Sequence, residues 1–483
     1  MKNWKKILSF ALSAMFALSC ASCAVSDATL NKADANKANT QTTTPTTDTT
    51  ETPEETVEDE FTPIFRMAVM SDVHVTPKYN PTLGANFEKG IKAAYTYAEA
   101  QEYKTLDALV VTGDLTHSPE NDTGSYQSYR DIVFRNVKRE TTYMDMLGNH
   151  DLYSNETTNG RDDYMDHVNS NLDQYHVVKG FHLISLSTKN GNGQVIRSQA
   201  NWMSEKMAIS NAEDPNKPIF TFQHQKIADT VYGSSGWNAS ESSGLLMDTF
   251  NQYPQVINFS GHSHSQTITT RSIWQGGFTA LESGPFASVG FDIADRYAGI
   301  PAEAAFEVPV AKDAAAGYFR IVEVDAQNRV RIYTINRETA ELSKTPSTLD
   351  DPNEVCVFKI DEPGNPDSFI YTDARKDTAA APYFVEGAAI EVLETTATSV
   401  QVQCPQMLDE SPLYYRLDLT DADGNVSSRY MIDQFYHGVN ADTETYTLSG
   451  LTAATEYTVT ITPVNIWGIE GTALTKTVTT ANA

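Results

Sequence analysis

The chain has 483 residues, 40% of them apolar, and its 63 acidic against 35 basic residues give a formal net charge of −28. That length exceeds one small core, so two or three domains are expected. The charge excludes a nucleic-acid duplex as a general partner, and an anionic substrate needs a local positive centre, such as a metal, against the overall field.

The chain opens MKNWKKILSFALSAMFALSCASC. Lys2, Lys5 and Lys6 precede an apolar stretch, Ile7 to Leu18, that is shorter than the ~20 residues of a spanning helix. It ends at Cys20 and Cys23, each after a small residue. Residues 1–23 therefore read as an export signal resembling the lipoprotein type, in which one cysteine becomes the lipidated N-terminus. A simply cleaved secretory peptide is the alternative. Either one puts the mature protein outside the cytoplasm, at the cell surface or secreted, with a lipid anchor as its only tie to a membrane. Residues 24–60 are Thr, Asp, Glu, Asn and Lys with almost nothing apolar, the composition of a solvated stalk. Of the cysteines, only Cys356 and Cys404 lie beyond the signal. They could pair in an oxidising compartment, but Cys404 sits in the strand-like SVQVQC, where a buried thiol is expected.

Structure is expected from IFRMAVMSD, Ile64 to Asp72, an apolar strand running into a polar loop. A helix follows over Asn86 to Gln101, with Phe87, Ile91, Ala94, Tyr95 and Ala98 at helical spacing. Then come the strand LDALVVTGD, a helix over Ser125 to Arg135 and the strand TYMDMLGNHD. Two strands, Tyr175 to Val178 and Phe181 to Ser187, meet at a turn ahead of a helix over Gln199 to Ser210. The strand PIFTFQHQ, a helix over Leu245 to Phe250 and the strand QVINFSGHSH complete the alternation. Such alternation predicts an α/β core. GYFRIVEVDAQNRVRIYTIN reads as a hairpin turning at Ala326 to Asn328, closing a domain over residues 61–382. No pattern places Gly290 to Val310; a long surface loop over the site is one reading.

Over residues 383–483 Thr, Val and Tyr rise and the alternation becomes period two. TETYTLSGLTAATEYTVTITPVN, Thr443 to Asn465, carries Leu451 and Thr455-Glu456-Tyr457 ahead of an alternating strand. This resembles a fibronectin type III domain, which implies an all-β sandwich with Tyr457 at the corner position. A cell-wall or glycan partner would suit such a module. Cys404 stands where the family usually buries a tryptophan, so the packing there should differ.

Five loops, each directly after a predicted strand, carry metal-ligand residue types: Asp72-Val73-His74, Gly113-Asp114, Gly148-Asn149-His150-Asp151, His224, and Gly261-His262-Ser263-His264. Open α/β sheets put their crevice at the carboxyl ends of strands. Singly, these motifs read as surface polarity, a turn or a core histidine, although two imidazoles flanking one small residue are seldom wanted by packing alone. Together they hold five of the ten histidines.

In this order the five motifs resemble the calcineurin-like metallophosphoesterase signature, DxH, GD, GNH[DE], H, GHxH, over Ile64 to Asn336. The resemblance implies a four-layer αββα sandwich. It assigns one metal to Asp72, His74, Asp114 and His264, and a second to Asp114, Asn149, His224 and His262, with Asp114 bridging. Two cations ~3.5–4 Å apart hold a bridging hydroxide and clamp a phosphoryl group for in-line attack on a phosphomonoester or phosphodiester. The mixed oxygen and nitrogen set suits two divalent or trivalent ions of Mn, Fe or Zn more than Ca²⁺. By the same resemblance His150 is no ligand but faces the scissile phosphate as acid or charge stabiliser, with Asp151 holding its ring in the right tautomer.

Purple acid phosphatases place an iron-binding tyrosine three residues after the GD aspartate. Here that residue is His117, read as a solvent-facing loop histidine rather than a pocket residue. A different class, a surface binding protein using the fibronectin-like module on an inactive metal scaffold, is the alternative function. A secreted 5′-nucleotidase fits less well, because its second domain is a large nucleotide-binding one. Substrate choice is expected in the loops Tyr232 to Ser243 and Phe278 to Val310.

Overall fold

A computed structural model describes residues 60–152, 157–292, 294–301, 304, 306–307, 317–343, 356–437 and 442–483. The export signal and nearly all of the stalk read from the sequence lie outside these residues. Among the described residues no helix is long and apolar enough to cross a membrane.

In chain order the first part contains β1 (Pro63–Met70), α1 (Pro81–Ala100), β2 (Ala108–Val111), α2 (Ser125–Asn136), β3 (Thr142–Asp145) and α3 (Thr157–His167). It continues with β4 (Gln174–Val178), β5 (Phe181–Ser185), α4 (Arg197–Glu213), β6 (Ile219–Phe222), α5 (Ser243–Phe250), β7 (Val256–Ser260), β8 (Ile273–Gln275) and β9 (Thr279–Glu282). After β10 (Phe306–Glu307) come β11 (Tyr318–Asp325), β12 (Val330–Asn336) and β13 (Val357–Ile360). One helix starts well before its apolar spacing does. The Asn80 side chain accepts the amide of Thr82 and Pro81 takes the first turn, so a capping pair opens α1 at residue 81.

Two six-stranded mixed sheets form, in the orders β13-β12-β11-β1-β2-β3 and β4-β5-β6-β7-β9-β8. Side chains alternate across each strand, and β1 shows the consequence. Its Phe65, Met67 and Val69 point at the second sheet, where they meet Phe220, Phe222, Phe259 and Leu281. Its Ala68 and Met70 point the other way, at Phe87 and Ile91 of α1 and Tyr129 of α2. On the far face of the second sheet, Ile184, Ile219 and Val256 bury Met203, Met207, Leu246 and Phe250 of α4 and α5. The result is helix, sheet, sheet, helix: the four-layer α/β sandwich expected.

The C-terminal strands are β14 (Glu391–Thr395), β15 (Ser399–Pro405), β16 (Pro412–Thr420), β17 (Val426–Ile432), β18 (Thr443–Ser449), β19 (Glu456–Asn465) and β20 (Leu474–Thr479). They form a three-stranded sheet and, with β10 as the fifth strand, a five-stranded one around Val400, Val402, Leu417, Val459 and Ile461, a fibronectin type III-like sandwich. The Tyr457 hydroxyl accepts the amide of Thr452 at 3.0 Å, the corner contact predicted from the motif. Cys404 shares its apolar cluster with Tyr415 and Tyr446, whose ring centroids lie 5.8 Å apart. Cys356 and Cys404 are both buried and unpaired.

The described part of Gly290 to Val310 is not a solvent loop. Val289, Ala298 and Ile300 share one apolar cluster with Leu413, Tyr414, Ile432, Ile466 and Trp467 of the C-terminal sandwich. The Tyr414 hydroxyl donates to the carbonyl of Ala298 at 2.9 Å. The buried Arg271 bridges both carboxylate oxygens of Asp295, at 2.5 and 3.0 Å, and donates to the carbonyl of Ile466. β10 is the edge strand of the five-stranded sheet, pairing in parallel with Tyr430 and Met431 of β17. This segment mortars the α/β sandwich to the β-sandwich.

Candidate metal centre

The strands β1, β2 and β3 run parallel, as do β6 and β7 in the facing sheet, so all five motif loops leave strands at their carboxyl ends. The backbone there is forced into an uncommon region. Asp72, His74, Asp114, His262 and His264 have φ of 55, 48, 49, 71 and 55°, left-handed values that non-glycine residues rarely adopt. Such strain persists only where neighbours over-determine it. Here the amides of Asp72, His74 and Val75 bond the carbonyls of Gly113, Asp114 and Leu115 at 3.2, 3.0 and 2.9 Å, lacing the first two loops together. At Gly113, φ is 91° and an added Cβ would lie 2.6 Å from Nδ1 of His224. Gly148 abuts the Asp114 carboxylate in the same way, which leaves no room for a side chain.

Seven side chains converge on this crevice. Asp72, His74, Asp114 and His264 each offer one donor atom, all within 4.8 Å of one another, and so do Asp114, His224 and His262; Asp114 belongs to both groups. His264 Nε2 is 3.3 Å from Asp72 Oδ1, His74 Nε2 is 3.5 Å from Asp114 Oδ2, and His224 Nε2 is 3.2 Å from Asp114 Oδ1. The Asn149 amide oxygen completes the second group, 3.1 Å from His224 Nε2.

The outer ring nitrogens explain why the inner ones point as they do. His224 Nδ1 donates to the carbonyl of Thr112 at 2.8 Å, His264 Nδ1 to that of Ser288 at 2.8 Å, and His262 Nε2 to that of Trp237 at 3.4 Å. A carbonyl only accepts, so each bond fixes a proton on the outer nitrogen and turns the inner one toward the crevice, the orientation typical of metal-bound imidazoles. Nδ1 of His262 is buried with no hydrogen-bond partner. His74 and His264 bring their Nε2 atoms within 3.2 Å of each other. A buried nitrogen with nothing to bond and two imidazole nitrogens face to face are costly unless a cation lies between the donors. The residues present fit a pair of metal ions. Their oxygen and imidazole chemistry suits first-row transition metals more than Ca²⁺.

The electrostatics agree. Burial alone would raise the carboxyls of Asp72 and Asp114, yet the imidazoles around them hold both well below the ordinary carboxylate range. His224 resists burial and is pushed up to about 9 by Asp114 and Asp72. Burial lowers His74 and His262 to about 3, which keeps them neutral and available as ligands.

A third cluster lies beside the first, made by His74, His117 and His150. His117 is exposed, as expected for a loop histidine, but it is not idle. Its Nδ1 lies 3.3 Å from Nδ1 of His74, taking the place that carbonyls take behind the other ligand histidines. Its ring stacks on that of His150 with centroids 4.9 Å apart. His150 is fixed by two bonds: its amide donates to Asp114 Oδ1 at 2.9 Å and its Nδ1 to the carbonyl of His117 at 2.8 Å.

That last bond corrects the role expected of Asp151. Its carboxylate does not reach the His150 ring. It is fully buried and accepts the amides of Leu115, Thr116 and Gly148 and the hydroxyl of Thr116, at 2.9 to 3.1 Å. Asp151 is a staple between the Gly113 and Gly148 loops, because four donors in reach outbid one imidazole. Sequence reasoning also gave Trp237 no role of its own, and its carbonyl orients His262 from within the loop Tyr232 to Ser243. An isolated tryptophan among Gly and Ser was the available signal.

Residues 65–266, which include all seven converging side chains, match the family described as calcineurin-like phosphoesterase. None of the curated proteins matches the chain. Among solved structures, a dimetal phosphatase from Danio rerio is similar over 62% of this chain and all of its own, at 11% identity and a TM-score of 0.42. Fibronectin type III domains of the human collagen alpha-1(XX) chain, at 19% identity, and of human collagen XX, at 24%, are similar over 22% and 21% of this chain and 87% and 100% of theirs, each with a TM-score of 0.17.

Proposed function

We propose that this calcineurin-like phosphoesterase is an exported two-metal hydrolase of phosphomonoesters or phosphodiesters. Asp72, His74, Asp114 and His264 would hold one ion; Asp114, Asn149, His224 and His262 would hold the other. Ions of Mn, Fe or Zn would there supply water activation and Lewis-acid polarisation of the phosphoryl group. The single observation that carries the assignment is the double membership of Asp114, whose two carboxylate oxygens face different sets of imidazoles.

The chain's own residues do the rest. The outer carbonyl bonds of His224, His262 and His264 fix ring orientation before any ligand arrives, so little reorganisation accompanies reaction. His150 is held at its amide and at Nδ1, which leaves Nε2 as the atom that delivers a proton to the departing alcohol oxygen. The half-exposed His150 borders solvent, where a leaving group can depart. The α/β domain is taken to span residues 61–382 and the fibronectin-like domain residues 383–483, with a lipid anchor or free secretion upstream and cell-wall or glycan contact as the use of the C-terminal sheets.

The test is hydrolysis of an aryl phosphomonoester and a bis-aryl phosphodiester by Mn²⁺-loaded protein. Release of the aryl alcohol from either supports the reading. Inertness toward both, with two ions bound per chain, overturns it.

A further inference from the structure

Trp237 is 73% exposed, an unusual place for an indole, and its ring centroid lies 4.5 Å from that of His262, edge to face at 85°. It is not a floppy surface side chain. It sits in a short 3-10 turn, Gly236–Asn238, whose carbonyl at Trp237 is taken by His262. On either side, Ser235 donates its hydroxyl and Asn238 its amide to the buried carboxylate of Asp292, at 2.5 and 3.2 Å. The backbone amide of Asp292 in turn donates to the Tyr232 hydroxyl at 2.9 Å. Tyr232 belongs to the apolar cluster shared with Tyr414, Ile466 and Trp467 of the C-terminal sandwich. The indole is therefore a fixed aromatic face touching one ligand of the candidate centre.

Trp237 also walls a cleft of about 600 Å³ lined by Asn192, Asp229, Gly236 and Glu241. Asn192, Asp229 and Glu241 are exposed there. Carboxylates accept hydroxyl protons and repel a second anion, while an aromatic face takes the flat side of a ring. One aromatic wall with a few polar groups is how small-molecule sites fix orientation.

We infer that Trp237 is the specificity-determining residue of the centre, and that the group esterified to phosphate is a neutral ring carrying hydroxyls, as in a glycosyl or nucleosyl ester. The inference rests on the phosphoesterase reading and narrows its substrate class. The ring lies on the indole, its hydroxyls reach Asp229 and Glu241, and the phosphate meets the donors beyond His262.

The experiment compares full-length, Mn²⁺-loaded wild type with Trp237→Ala and Trp237→Phe. The substrates are uridine 5′-phosphate, glucose 1-phosphate and butyl phosphate, each also as its methyl diester, with bound metal measured for every variant. Wild type should prefer a ring ester to the butyl ester, the uridine and glucose arms telling nucleosyl from glycosyl. Trp237→Ala should lower that preference about tenfold, mainly through KM, as expected for one lost stacking face, while Trp237→Phe keeps most of it. A wild type that hydrolyses all esters without preference, or a Trp237→Ala variant with the ratio unchanged, overturns the inference and leaves the hydrolase standing. Inertness of metal-loaded wild type toward every ester overturns both.

Discussion

Oδ1 of Asp114 accepts the backbone amide of His150 at 2.9 Å. The carboxylate shared by the two donor groups therefore also sets the position of the imidazole in the GNHD loop, whose ring centroid lies 4.7 Å from that of His74 in the first group. In the proposed function, metal site and proton donor are built on a common atom, so geometry at one would be transmitted to the other without an intervening side chain.

His150→Ala should slow turnover by about 10²–10⁴ while leaving two ions bound per chain, because the ring contributes a proton and no ligand. Steady-state kinetics alongside metal analysis of the same preparation checks this. Parallel loss of metal and rate would remove the acid role.

Asp151→Asn should behave differently. The carboxylate stitches the Leu115, Thr116 and Gly148 amides, and burial together with Asp114 already pushes its carboxyl up to about 7. Replacing it strands buried donors and should lower stability by about 1–3 kcal/mol in denaturant titrations. The pH profile of kcat in the surviving folded enzyme should keep its wild-type shape. A shifted profile at unchanged stability would restore the ring-holding role rejected above.

In the C-terminal sandwich, burial with the nearby Asp409 pushes Asp433 up to about 6, and burial with Asp433 pushes Glu444 up to about 8. Both raised values mean that the folded chain binds more protons than the unfolded one from roughly pH 4 upward. Their stabilising contribution is present in mild acid and is lost as pH rises through about 8. Glu444→Gln, which keeps an oxygen for the Gln434 amide, should flatten the fall in stability between mild acid and mild base by on the order of 1 kcal/mol. Thermal melts of variant and wild type across that range decide it, and identical slopes would contradict the assignment.

The four layers and the crevice were legible because strand periodicity and five terminal motifs point to the same edge of the same sheets. What escaped the sequence had contacts that adjacency misrepresents. Asp151 follows His150 in the chain but turns its carboxylate back to loops 35 and 36 residues away. His117 is exposed, which its motif position foretells, yet its usefulness lies in touching His74, 43 residues distant. Residues 81–85 lack an apolar stripe, so only the Asn80 cap and Pro81 announce the true start of α1. Around Asp295 and Ala298 no periodicity exists to be read, because their partners are supplied by Arg271, Tyr414 and Trp467 in distant strands and turns.

The most direct test is metal stoichiometry by mass spectrometry on wild type and Asp114→Ala, with folding verified by circular dichroism. Two transition-metal ions per wild-type chain, and near-complete loss of both in the folded variant, is the predicted result. A folded wild type that takes up one ion or none, or an Asp114→Ala variant that keeps both, would contradict a shared carboxylate at the heart of the site.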